Sequence, residues 1–268
     1  MLKNTAAKHV RRIKMKQEKI TFKNSKGQRL VGDLFLPEKK ILSIAIFVHG
    51  YTSDRKNSKA KRLSELLPDC GVGLFSIDLS GRGDSDGKFE DTTLTQYIDD
   101  VRCSINKISE YTDNIALIGS SLGGIVSLQV ASRDKRIKSL VLLSPVPIFP
   151  HKSSRPEFQP EGLKKWKERG YTLTDSGRFG KLKINYTYFE DSLKYGNYSV
   201  YKKINIPSII IHGDLDESVP IEESKELIKH LKKSKLSIIK GADHRYSNPA
   251  NFEEMINETV NFLVEVSK

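Results

Sequence analysis

Apolar positions along the chain follow two rhythms. Short apolar runs at 41–48, 72–77 and 115–118 read as buried strands, and 137–143, 208–212 and 235–239 as further strands. Between them, apolar residues recur three and four positions apart. One helical face carries Leu94, Tyr97, Ile98, Val101, Ile105 and Ile108, another Ile221, Leu227, Ile228 and Leu231, and a last one Phe252, Met255, Ile256, Leu263 and Val266. Further helices are expected around 58–67 and after residue 121. Strands alternating with amphipathic helices predict an α/β fold with a mostly parallel central sheet and helices on both faces. Ahead of this, 18–23 and 28–36 alternate in polarity around Asn24-Ser25-Lys26-Gly27, the pattern of an N-terminal antiparallel hairpin.

The alternation breaks over residues 144–205. A gap of that length is far more than a connection within an α/β unit needs. It is rich in aromatics, among them Phe149, Phe158, Trp166, Tyr171, Phe179, Tyr186, Tyr188, Phe189, Tyr195, Tyr198 and Tyr201. Short helices are expected near 161–169 and 188–195. The segment reads as a cap inserted into a core of 18–143 and 206–268. Its aromatics would pack it onto the body and in part line a pocket. Residues 1–17 form a basic tail with weak periodicity.

Composition narrows the picture. The net charge of +12 invites a nucleic-acid reading, but its distribution argues otherwise. Residues 1–19 hold seven basic side chains and one acidic, and residues 150–205 hold twelve and six; the rest is balanced. No basic helix is interleaved with stacking aromatics, so solvated charge is the reading and no nucleic-acid partner is expected. Two cysteines, Cys70 and Cys103, fit neither a disulfide framework nor a metal spacing, which favours a reducing compartment. No run approaches the roughly 20 apolar residues of a membrane span, and no signal-peptide core follows the basic N-terminus. The expected address is the cytoplasm.

The chemistry is concentrated at Gly119-Ser120-Ser121-Leu122-Gly123, a G-x-S-x-G pentapeptide between a strand and a helix. Such a turn exposes the central hydroxyl, Ser121, at a helix N-terminus, and the N–H of Leu122 behind it is a candidate oxyanion donor. An ordinary Gly/Ser turn would look the same, so partners decide. A serine needs a base and the base needs an orienting carboxylate. The strand at 208–212 leads into a loop bearing Asp214 and Asp216. The strand at 235–239 leads into Lys240-Gly241-Ala242-Asp243-His244. Of six histidines, His244 alone follows the final strand. His49 and His212 end strands beside glycines, where structural hydrogen bonding is the better reading; His9, His151 and His230 sit in surface-like contexts. Asp243 reads as a loop cap.

With the order serine, acid, histidine in place, the chain resembles an α/β-hydrolase of the serine hydrolase type from about residue 19 onward. Within that group it is most similar to cinnamoyl/feruloyl-esterase-like bacterial hydrolases. The matching features are the H-G-aromatic turn at His49-Gly50-Tyr51, the G-x-G-D-S-D-G loop from Gly81 to Gly87, and the length of the insertion before the acid strand. The resemblance implies that Asp216, fifth in the H-G-x-x-D-x-x-V-P pattern, is the acid rather than Asp214. It also implies His244 as the base and the N–H of Tyr51 as the second oxyanion donor.

The expected function is hydrolysis of a small-molecule carboxylic ester, aromatic or short-acyl, through an acyl-enzyme. Amide hydrolysis of an aminopeptidase-like kind and acyl transfer would use the same triad, and a non-catalytic binding protein on this fold would lack a triad member. An aminopeptidase would need carboxylates in the cap. The net-basic cap points instead to neutral or anionic substrates. The Asp84-Ser85-Asp86-Gly87 run stops short of a calcium loop, and Gly81-x-Gly83 lacks the third glycine of a dinucleotide site. No metal and no cofactor are expected.

Overall fold

A computed structural model of the chain describes residues 15–149, 156–176 and 179–268. Most of the expected basic tail, with His9 and His151, lies outside them. The hairpin forms from β1 (Lys16–Lys23) and β2 (Arg29–Leu36), paired antiparallel. Then follow β3 (Ser43–Val48), α1 (Ser58–Leu66), β4 (Val72–Asp78), α2 (Leu94–Ile108), β5 (Ile115–Ser120), α3 (Leu122–Ala131) and β6 (Ile137–Leu143). The intervening segment holds α4 (Pro160–Arg169), β7 (Tyr171–Asp175), β8 (Lys181–Asn185) and α5 (Tyr186–Ser192). β9 (Ser208–Gly213), α6 (Ile221–Leu227), β10 (Ser234–Ile239) and α7 (Pro249–Val266) complete the chain.

Eight strands make one sheet in the order β1-β2-β4-β3-β5-β6-β9-β10. β1, β2 and β4 pair antiparallel, and every pair from β4 to β10 is parallel. Strand alternation divides the core in two. Ile44, Ile46 and Val48 of β3 face a layer with α2 and α3, while Ala45 and Phe47 face α1 and α7. Helices therefore cover both faces, which is why the central strands read as unbroken apolar runs. This is the α/β-hydrolase arrangement.

The segment between β6 and β9 is built into the first of these layers. Trp166, Tyr188 and Tyr201 are fully buried, and Trp166 stacks edge-on against Phe158 and Tyr186. Both expected helices form there. The antiparallel pair β7–β8 was not foreseen: it is exposed along most of its length, with only Thr174 and Ile184 buried. His230, expected at the surface, is half-buried and stacks on Tyr198 at 4.9 Å between ring centroids.

The G-x-G-D-S-D-G loop is tied down by side chains. Arg55, buried at the end of β3's loop, forms ion pairs with Asp33, Asp78 and Asp84. Ser85 donates to the Asp78 carbonyl and accepts from the Val31 N–H. Asp86 accepts from the Arg29 N–H and pairs with its guanidinium, so both aspartates of the loop are accounted for as structure.

Candidate active site

All the parallel strands end at one edge, and their following loops meet there. Ser121 sits between β5 and α3 with φ 53° and ψ −116°, a conformation L-residues rarely hold, which costs on the order of 1–3 kcal/mol. Three backbone bonds impose it. The Ser121 N–H donates to Leu143 O at 2.9 Å, and the Ser121 carbonyl accepts from Gly124 at 2.8 Å and Val146 at 3.0 Å. Glycines make the close approach feasible: a methyl group on Gly123 would collide with the Val48 carbonyl, and one on Gly119 with the Gly123 carbonyl. Gly123→Ala is expected to destabilise the fold by about 1–3 kcal/mol, the usual range for overpacking. Urea unfolding would measure it, and an unchanged midpoint would show that the strand and helix have room to part.

His244 reaches Ser121 from the loop after β10, with Nε2 3.0 Å from Oγ. Its Nδ1 lies 2.7 Å from Oδ2 of Asp216, on the loop after β9. The chain hydroxyl–imidazole–carboxylate is thus continuous. The neighbour Asp214 turns away and accepts from the Gly241 N–H at 2.5 Å, and Asp243 accepts from the Ser247 N–H at 2.7 Å. Of the loop carboxylates, Asp216 is the one against the imidazole.

The surroundings of Asp216 go beyond what the sequence suggested. Its Oδ1 accepts from the N–H groups of Ser218 and Val219, at 2.9 and 2.8 Å. Its Oδ2 is also 3.0 Å from Nε2 of His212, a residue four positions earlier and fully buried. His212 Nε2 also faces the Val219 carbonyl at 3.0 Å, which can only accept, while Nδ1 meets the Ser224 hydroxyl at 2.7 Å, so the partners assign the proton to Nε2. Burial pushes the Asp216 carboxyl up, but the hydrogen bonds from His212 and His244, the His244 charge and the Val219 N–H outweigh it. The net effect holds the group well below the usual carboxylate range. Its ionised form therefore contributes stability present above the unfolded value of about 3.9 and lost as pH falls through the lower folded value.

His49 does a similar job at the other side. Its Nε2 accepts from the Leu79 N–H at 3.2 Å, leaving Nδ1 to donate to Gly50 O at 2.8 Å. Burial lowers its pKa, in keeping with a neutral ring. The turn it fixes is close against Ser121, since a methyl group on Gly50 would touch its Cβ at 3.4 Å. Tyr51 follows in that turn. Leu122 opens α3, where first-turn N–H groups have no acceptor within the helix. Tyr246, with φ 57°, anchors the histidine loop by donating to Ile211 O at 2.9 Å.

Two cavities meet at Ser121 and His244. The apolar one, about 60 Å³, is lined by Tyr51, Leu122, Val146, Phe149, Phe158, Tyr188 and Val219, together with Ser218. Its aromatic wall interlocks, with Tyr51–Tyr188 at 5.2 Å and Phe149–Tyr188 at 5.9 Å between centroids. The other, about 370 Å³, is mostly polar and includes Thr52, Ser53, Ser58, Lys59, Ser176 and Arg245. Among the described residues no group of three or more His, Cys, Asp or Glu side chains could hold a metal ion.

The family described as serine aminopeptidase, S33, matches residues 39–176, half of the chain, and a second, serine hydrolase (FSH1), matches residues 116–255. The chain belongs to the α/β-hydrolase family of serine hydrolases. Among curated relatives of this α/β-hydrolase, human palmitoyl-protein thioesterase ABHD10, mitochondrial, is 25% identical over 227 residues, covering 82% of this chain and 72% of the relative. The AB hydrolase superfamily protein YisY of Bacillus subtilis is 27% identical over 252 residues, covering 82% and 89%. Among solved structures, Est1E from Butyrivibrio proteoclasticus with ferulic acid bound superposes with a TM-score of 0.80 at 26% identity, covering 92% of this chain and 98% of that one.

Proposed function

We propose that this serine hydrolase cleaves carboxylic esters through a triad of Ser121, His244 and Asp216. The unbroken hydrogen-bond chain from Oγ through the imidazole to the carboxylate carries the reading. In this scheme His244 Nε2 takes the Ser121 proton as Oγ attacks the ester carbonyl, and the oxyanion accepts from the N–H groups of Leu122 and Tyr51. The protonated imidazole then donates to the departing alkoxide. A water activated by the same nitrogen attacks the acyl-enzyme, and the acid leaves with Ser121 restored. Asp216 holds the tautomer that leaves Nε2 free to accept.

The apolar cavity takes the acyl group and the polar one the alcohol half. Likeness to an esterase structure holding ferulic acid and to a thioesterase supports acyl chemistry at an oxygen or sulfur ester. The aminopeptidase family name raises amide hydrolysis as the second reading. Against it, a free amino terminus needs a carboxylate, and among the described residues no Asp or Glu lines either cavity. The segment over residues 144–205 is proposed as the cap, since Phe149, Phe158 and Tyr188 wall the apolar cavity. For the address we propose the cytoplasm, supported by the two free cysteines.

A cavity of about 60 Å³ has room for roughly two waters' share of liquid volume, which suits a short acyl chain. p-Nitrophenyl acetate or butyrate should exceed the decanoate in kcat/KM by about tenfold or more, as each excluded methylene is worth about 1–3 kcal/mol. Tyr188→Ala should narrow that gap. Steady-state assays over this series, beside an aminoacyl p-nitroanilide, test the reading. Faster turnover of the anilide would replace the esterase with an amidase.

A further inference from the structure

The polar cavity beside Ser121 carries a charge pattern that hydrolysis of a neutral ester does not use. Among the described residues its lining includes two cationic side chains, Lys59 and Arg245, and no Asp or Glu. The remainder is uncharged apart from His244, and includes Thr52, Asn57 and Ser58. Asn57 and Ser58 are the cap and first residue of α1, so the positive end of that helix faces the same space.

Lys59 is placed as though awaiting an anion. Its ammonium stands 5.4 Å from the centroid of the Tyr246 ring, a contact that holds the group beside the histidine loop without neutralising it. Burial depresses its pKa to about 8; the Arg245 charge adds to this, and the negative charges of Asp243 and Asp216 offset it only in part. Asp243 is itself engaged, accepting from the Ser247 N–H. Arg245 follows His244 directly and is exposed, on the solvent side of the same cavity. An arriving anion would meet one half-buried cation, one exposed cation and a helix N-terminus, and the nearby Asp243 carboxylate is already engaged by the Ser247 N–H.

We propose that Lys59 and Arg245 form an anion subsite for the leaving half of the substrate, so that the preferred esters carry a carboxylate or a phosphate on their alcohol part. This rests on the esterase reading above. The subsite adds no chemical step: the acyl C–O bond breaks as the Ser121 Oγ–acyl bond forms, the alcohol oxygen takes the proton from His244, and the alcohol departs with its anionic group intact.

The test compares esters of one acyl group. 4-Acetoxybenzoate carries the anion, 4-acetoxybenzamide is its neutral counterpart with a slightly better leaving group, and 4-acetoxyphenyl phosphate distinguishes phosphate from carboxylate. For the wild type, kcat/KM for at least one anionic ester should exceed that for the amide-bearing ester by about tenfold, mainly through KM. The preference should shrink as ionic strength rises. In the doubly substituted Lys59→Gln, Arg245→Gln protein the ratio should fall to about one, whereas Lys59→Arg should retain most of it. Because the readout is a ratio within one protein, partial misfolding cancels. Hydrolysis of the neutral ester with no anionic preference, or a preference that survives the double substitution, overturns the subsite and leaves the esterase standing. Failure to cleave any of the three overturns both.

Discussion

Replacing Ser121 with alanine should lower kcat/KM for a short-chain p-nitrophenyl ester by about 10⁴-fold or more, the scale on which loss of a serine nucleophile is felt when its base and oxyanion donors remain. The change removes one atom. The bonds that hold the turn are made by the backbone of residue 121, to Leu143, Gly124 and Val146, and alanine keeps all three. The melting temperature should therefore move by no more than about 2 °C, a shift of about 1 kcal/mol or less for a chain of this size. A fluorophosphonate probe gives an independent readout, because only an activated hydroxyl displaces its fluoride. The wild type should label and the variant should not. Label retained on Ser121→Ala, or turnover above one hundredth of wild type, would move the nucleophile elsewhere.

How far such a site can be read in advance depends on how local its determinants are. The central strands are legible because burial on both faces leaves an unbroken apolar signature, as in the Ile44 to Val48 and Ile115 to Ile118 runs of β3 and β5. β7 and β8 leave no such mark. Tyr171, Leu173 and Lys181 are exposed, and the pair is held partly by the Trp166 indole donating to Ile184 O, a contact no local pattern encodes. Ser121 and His244 stand at strand ends with distinctive neighbours, so topology alone brings them to one edge. Asp214 and Asp216 are both at such an end, and only the turn through Ser218 and Val219 separates them by aiming one carboxylate at His244 and the other at Gly241. The cavities were the least legible feature. Tyr51, Val146, Tyr188 and Val219 come from four separate loops and elements, and Lys59 reads in sequence as one more solvated helix residue.

Asp216→Asn should cost kcat about 10⁴-fold while KM for a short-chain ester stays within about threefold, the pattern of a base held in the wrong tautomer. The carboxylate accepts from the Ser218 and Val219 N–H groups and from His244, and it shares the His212 Nε2–H, 3.0 Å away, with the Val219 carbonyl. An amide has one oxygen for four donors. With that oxygen toward the backbone, its NH₂ faces two imidazole N–H groups, and the strain is relieved when His244 moves its proton to Nε2. That nitrogen then faces Ser121 as a donor and can no longer take its proton. With the amide turned round, the NH₂ meets two fixed backbone N–H groups, a worse clash because neither can shift a proton. Asp214→Asn, by contrast, keeps an oxygen for the Gly241 N–H and should lower kcat by less than about fivefold. Steady-state kinetics on both variants, with melting curves alongside, decide between them. A collapse in Asp214→Asn with Asp216→Asn near wild type would exchange their roles. Acid titration of stability supplies a second check. The wild type should lose stability as pH falls below the ordinary carboxylate range and through the depressed folded value of Asp216. The asparagine variant lacks the titrating group, so its stability should start lower and fall less steeply over that interval.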